Sequence, residues 1–251
     1  MQKINLNDKI IENITRNYNN LQSGGFGTVA QIDKDLAIKF YGGFLTGYKE
    51  KNIDEISKET TIYVPQINVL TKKQKDIKLT TLPLGVAYYQ DVPVGVIIKY
   101  FEKHNTLFEL YKENDDVIIN ILQNVLESIK ELLINGIFQT DIKEDNFLYS
   151  TTDYKAQAID LDGMKIDIGR ENIWLEEMIY ESLLKMFIYL ANKRLLFKYN
   201  NGEIEKDDYE TKVKSVKSLD YNIYIYESLQ LFINTIKNKK ILESKQKILK
   251  K

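Results

Sequence analysis

The apolar positions of the chain change period near Glu102. Up to that point they come mostly in short runs of β type. Alternation predicts a hairpin: Leu21–Ile32 and Leu36–Tyr41, joined by the turn Asp33-Lys34-Asp35. The glycines of Gly24-Gly25-Phe26-Gly27 bend its first strand. Further β-rich runs are Ile67–Leu70, Ile77–Thr80, Gly85–Tyr89 and Val94–Tyr100, with Pro83 and Pro93 at their edges. A short helix capped by Asn7 or Asp8 carries Ile10, Ile11 and Ile14. A longer helix is predicted from Asn52 to Tyr63, with Glu55 and Glu59 one turn apart on one face, and Pro65 ends it.

Beyond Glu102 the period becomes helical. Asn114 or Asp115 caps a helix whose apolar positions are Ile118, Ile121, Leu122, Val125, Ile129, Leu132 and Leu133, and Gly136 stops it. A turn at Asp153-Tyr154-Lys155 then leads to a short strand over Ala156–Asp160, and helix resumes from Ile173 to Arg194 with two more helices before the end. The chain is therefore expected to be α+β, with a small antiparallel sheet and one main helix in residues 1–101 and a mainly helical region in residues 102–251.

Between the long helix and the strand at Ala156 lies a run that no core would accept: Gln139-Thr140-Asp141-Ile142-Lys143-Glu144-Asp145-Asn146. It reads as a polar catalytic loop held between a helix and a strand. Upstream, the bend at Gly24–Gly27 would let backbone N–H groups approach phosphate oxygens, although such glycines also serve plain hairpins. Lys39, between Ile38 and Phe40 in an alternating strand, faces opposite to both and so points to solvent or into a cleft.

Composition narrows the chemistry. Among 251 residues, 35 Lys and Arg meet 36 Asp and Glu for a net charge of −1, so no nucleic-acid partner is expected. The absence of cysteine removes disulfides, thiolate nucleophiles and zinc–thiolate sites. His104 is the single histidine, which nearly excludes His-cluster metal sites and a Ser-His-Asp triad, and it is expected on an exposed loop. No apolar run is long enough to span a bilayer and no signal peptide is visible, so a cytoplasmic protein, or one delivered into a host cell, is expected.

In order, the stretch Leu21–Val29, the triplet Ala37-Ile38-Lys39, the loop Gln139–Asn146 and Asp160-Leu161-Asp162 resemble the glycine loop, third-strand lysine, catalytic loop and Asp-Phe-Gly of the protein kinase family. The resemblance covers about residues 20 to 190. It implies a two-lobed kinase-like fold with ATP and Mg²⁺ in the cleft. Gly24, Gly25 and Gly27 would lie over the phosphates, with Gln22 replacing the first loop glycine. Val29 and Ala37 would face the adenine. Lys39 would hold the α- and β-phosphates and pair with Glu59, with Glu55 as the rival. Ile98 would back the pocket, and Lys99-Tyr100-Phe101 would form a hinge offering backbone bonds to adenine. Asp141 would take the acceptor proton, Lys143 would neutralise the moving phosphoryl group, and Asn146 and Asp160 would hold magnesium.

Departures from the family pattern refine the expectation. Gln139 stands where His is usual, which predicts loss of a structural contact with the chemistry retained. Thr140 stands where Arg is usual, which argues against switching by a phosphorylated activation loop. The segment after Asp162 is short and has no Ala-Pro-Glu. This is similar to the minimal kinases that bacteria deliver into host cells, which implies a Ser/Thr hydroxyl on a protein, a host protein in that setting, as acceptor. A small-molecule kinase of related fold and a pseudokinase binding module are the alternatives.

Overall fold

The structure, a computed structural model, describes residues 2–16, 21–24, 27–41, 43–47, 53–161, 164–166 and 173–217, with the backbone alone for 21–24, 46–47, 54–57, 59, 173 and 217. Contacts within the chain gather it into two compact units. One is Met1–Glu102 with Asp160–Met164; the other is Lys103–Ile159 with the described residues from Lys165 on.

The first unit contains β1 (Gln2–Leu6), α1 (Asp8–Arg16), β2 (Leu21–Gly24), β3 (Gly27–Asp33), β4 (Leu36–Phe40), α2 (Phe44–Gly47), α3 (Ile53–Lys73), β5 (Gly85–Tyr89) and β6 (Val92–Lys99). The strands form one sheet of 6 in the order β1-β5-β6-β4-β3-β2. The sheet is mixed, not antiparallel as expected, because β1 runs parallel to β5 with Gln2 opposite Gly85. A parallel pair needs a long connection, and nothing local to residues 2–6 announces its partner.

The two faces of the sheet carry different cores. Ile38, Phe40, Ala87, Val94 and Ile97 pack on one side with Leu6 and with Ile11 and Ile14 of α1. Asn7 begins that helix by accepting the Ile10 N–H at 3.0 Å. Tyr41, Val86 and Val96 pack on the other side with Ile67 of α3. Strand alternation therefore puts Lys39 on the α3 side, opposite Ile38 and Phe40.

Pro65 does not end its helix: α3 runs through it to Lys73. Ile67 and Leu70, three residues apart, are buried while Val69 is 40% exposed, so the expected strand at Ile67–Leu70 is helix with one face in the core. Ile77–Thr80 is not a strand either. The Gln74 side chain donates to Ile77 O and Thr80 O and accepts from Leu82 N, supplying bonds that a ladder would otherwise make.

The second unit contains β7 (His104–Thr106), α4 (Asp115–Ile134), β8 (Ile137–Phe138), β9 (Phe147–Ser150), β10 (Ala156–Ala158), β11 (Lys165–Ile166), α5 (Ile173–Asn200) and α6 (Lys206–Lys217). His104 is half-buried in β7 opposite Ser150, not on an exposed loop. Asn114 caps α4 by accepting the Val117 N–H at 3.0 Å, and Gly136 follows that helix with φ +66°. The α4 face of Ile118, Ile121, Leu122, Val125, Ile129 and Leu132 is buried as its period predicts. Helix α5 outlasts the expected end at Arg194 by more than a turn, because Arg194 and Lys198 both bind Asp115 at the start of α4. Of the two helices expected after it, one is α6; the chain from 218 lies outside the described residues. No helix among the described residues is long and apolar enough to cross a membrane.

Candidate functional site

In the second unit, the polar loop leaves β8 and enters β9 through one turn of 3-10 helix at Glu144–Asn146. Two short ladders fix its ends: β8 pairs with β11, and β9 pairs with β10. Between them the side chains organise around Asp141. Asn146 is buried, and its Nδ2 donates both to Asp141 O and to Asp141 Oδ2, each at 2.8 Å. Lys143 Nζ reaches the same Oδ2 at 2.7 Å. Asp141 is 57% exposed and Lys143 43%, so the pair meets water while its amide anchor does not. Both Asn146 bonds use the nitrogen and leave the carbonyl oxygen Oδ1 out of this cluster. Glu144 and Asp145 take no part in these bonds.

Gln139 corrects an expectation. Instead of losing a structural contact, it is buried and donates Nε2 to Ile159 O at 3.2 Å. Ile159 N in turn donates to Asn146 O at 2.9 Å. Both faces of the Ile159 backbone are thus tied to the loop.

In the first unit, Lys39 and Asp160 form an ion pair across 121 residues of sequence. Lys39 is 13% exposed and Asp160 33%, so both are partly withdrawn from water. Asp160 has φ +61°. Its short polar side chain tolerates this left-handed backbone better than most residues do, and such outliers concentrate at functional positions. Glu55 and Glu59 lie on α3, but their side chains fall outside the described residues.

The remaining residues expected around a nucleotide belong to this same unit. Gly24 and Gly27 face each other across β2 and β3; Gly25 lies outside the described residues. Gly27 has a packing reason to be glycine, since a Cβ there would stand 2.3 Å from Phe40 O. Val29 pairs with Lys39, and buried Ala37 pairs with Ile98. Of the expected hinge, Tyr100 N–H is already donated to Asp35 O at 2.9 Å, and the Lys99 ammonium lies over the Phe101 ring.

Of the two residues expected to hold magnesium, Asp160 in the first unit and Asn146 in the second each carry an oxygen of the hard type that magnesium prefers. No group of three or more acidic or histidine side chains able to hold a metal occurs among the described residues. Magnesium is commonly held by one or two carboxylates with water and phosphate oxygens completing its shell.

No family model and no curated protein matches the chain.

Proposed function

We propose that the chain is an ATP- and Mg²⁺-dependent kinase that transfers the γ-phosphoryl group to a Ser or Thr hydroxyl of a protein, without needing activation-loop phosphorylation. The observation that supports this most is the cluster around Asp141. Lys143, expected to share the transfer step, and Asn146, expected to hold magnesium, both donate hydrogen bonds to Asp141. The ion pair of Lys39 with Asp160 adds support from the first unit.

In this reading the acceptor oxygen bonds to the γ-phosphorus as the bridging oxygen leaves with ADP. Asp141 orients the hydroxyl and takes its proton. Asn146 keeps the Asp141 carboxylate in one rotamer, and Lys143 offsets negative charge on the phosphoryl group. Lys39 binds the α- and β-phosphates. Asp160 and Asn146 are the residues that would hold Mg²⁺, which when bound supplies positive charge against the phosphate oxygens.

Asp141→Asn tests this, because the amide keeps an acceptor for Asn146 and removes the base. With labelled ATP and a lysate as acceptor, transfer is expected to fall by ~10²–10⁴. Labelling equal to wild type would refute the assignment. The second reading, a small-molecule acceptor, is favoured by the short stretch between Met164 and the start of α5 at Ile173, which leaves little chain to present a peptide. Screening metabolites beside proteins separates the two.

A further inference from the structure

Lys39 has a second neighbour that the proposed chemistry does not use. Its Nζ lies over the Tyr41 ring, 5.3 Å from the centroid, on the α3 side of the sheet. Tyr41 is 4% exposed, and its ring stacks on Tyr63 of α3 with centroids 5.2 Å apart. Its hydroxyl is buried with no hydrogen-bond partner among the described residues. A buried, unpartnered hydroxyl costs stability, so the hydroxyl does not account for a tyrosine at this position. The ring does: its negative face attracts a cation, most strongly where water is scarce.

We propose that Tyr41 is a positioning residue that holds the Lys39 ammonium in place through its ring, clamped from behind by Tyr63. This rests on the assignment of Lys39 to the ATP phosphates. In that assignment Asp160 must give up its bond to Lys39 when it takes a metal. Lys39 then loses that anchor. A ring face attracts the ammonium without occupying its N–H donors, so Lys39 stays aimed while those donors turn to phosphate.

Replacement of Tyr41 by pentafluorophenylalanine keeps a six-membered ring of similar size but reverses the sign of its face, so that it repels a cation. Tyr41→Phe keeps the face and drops only the hydroxyl, and Tyr41→Leu removes the ring. Two readouts serve: the rate at which an amine-reactive ester labels Lys39 in the nucleotide-free chain, followed by peptide mass spectrometry, and the KM for ATP. With the fluorinated ring, Lys39 labelling and KM are each expected to rise about fivefold, with the urea midpoint unchanged. Tyr41→Phe is expected to restore both to wild-type values. Labelling that does not change between the native and fluorinated rings overturns the proposal, whether or not Tyr41→Leu folds. A wild-type chain that transfers no phosphate sinks the kinase assignment instead, and faster labelling in the fluorinated chain then still supports the hold on Lys39.

Discussion

The loop around Asp141 makes a demand on stability as well as on chemistry, and Asn146→Ala measures it. Asn146 is 4% exposed, and its Nδ2 makes one bond to a backbone carbonyl and one to a carboxylate oxygen, each at 2.8 Å. A neutral hydrogen bond contributes ~1 kcal/mol net and one to a charged group ~1.5–3 kcal/mol. The carboxylate end is more than half exposed, so the lower end of that range applies. Together these give a loss of about 2–3 kcal/mol. Lys143→Ala is the control on the same carboxylate. It removes an ion pair whose partners are 43% and 57% exposed, which contributes ~0–1 kcal/mol. Urea unfolding of both variants, read by circular dichroism, therefore separates an anchor from a surface charge. Equal midpoints for the two, or an Asn146→Ala within 0.5 kcal/mol of wild type on the ~1 kcal/mol scale of a single hydrogen bond, would refute the idea that a buried amide holds this loop.

Two further outcomes follow from geometry elsewhere. A Cβ on Gly85 would stand 2.0 Å from Gln2 O and 2.7 Å from Gln2 C, so Gly85→Ala cannot keep β1 in register. Losing the burial of Leu6 with that strand costs ~2–4 kcal/mol, and an unaltered thermal midpoint would contradict the parallel pairing. Burial alone would raise the Asp115 carboxyl, but the hydrogen bonds from Lys198 and Arg194 outweigh it and hold it below the usual carboxylate range. A lowered folded pKa stabilises above the unfolded value of ~3.9, and the benefit fades as pH falls through the lower folded value. Asp115→Asn should thus cost about 1–2 kcal/mol at pH 7, after allowance for solvent screening, and progressively less below about pH 4. A difference that stays constant across that range would contradict it.

The parts that were legible in the sequence are those whose signals are local. The β3–β4 hairpin, the side on which Lys39 points, and α4 with its Asn114 cap follow from alternation, period and one capping residue. The errors share a different cause. Pro65 forfeits one helical N–H, yet α3 continues because Ile67 and Leu70 beyond it are fully buried, and burial outweighs the missing bond. Short apolar runs such as Ile67–Leu70 do not distinguish strand from helix without knowing what covers them. The β1–β5 pairing joins Gln2 to Gly85 and has no local mark. In the candidate site the acidic and basic letters of the loop were readable from residue type alone. The bond from Gln139 to Ile159 was not, since a glutamine announces neither its burial nor its partner.

The first unit is not written in one piece. Its closing segment, Asp160–Met164, contributes the ion pair to Lys39 and a carbonyl at Met164 that accepts from Gln66 of α3. During synthesis the sheet strands are all made by Lys99, yet these bonds wait until the chain has passed Met164. At ~5–20 residues per second that delay is several seconds, long enough for α4 to form first. A nascent chain, or a fragment cut at Glu102, would carry the sheet with Lys39 in it but not the carboxylate that answers it. The first unit's own set of contacts is thereby completed only after α4 and the polar loop have been made.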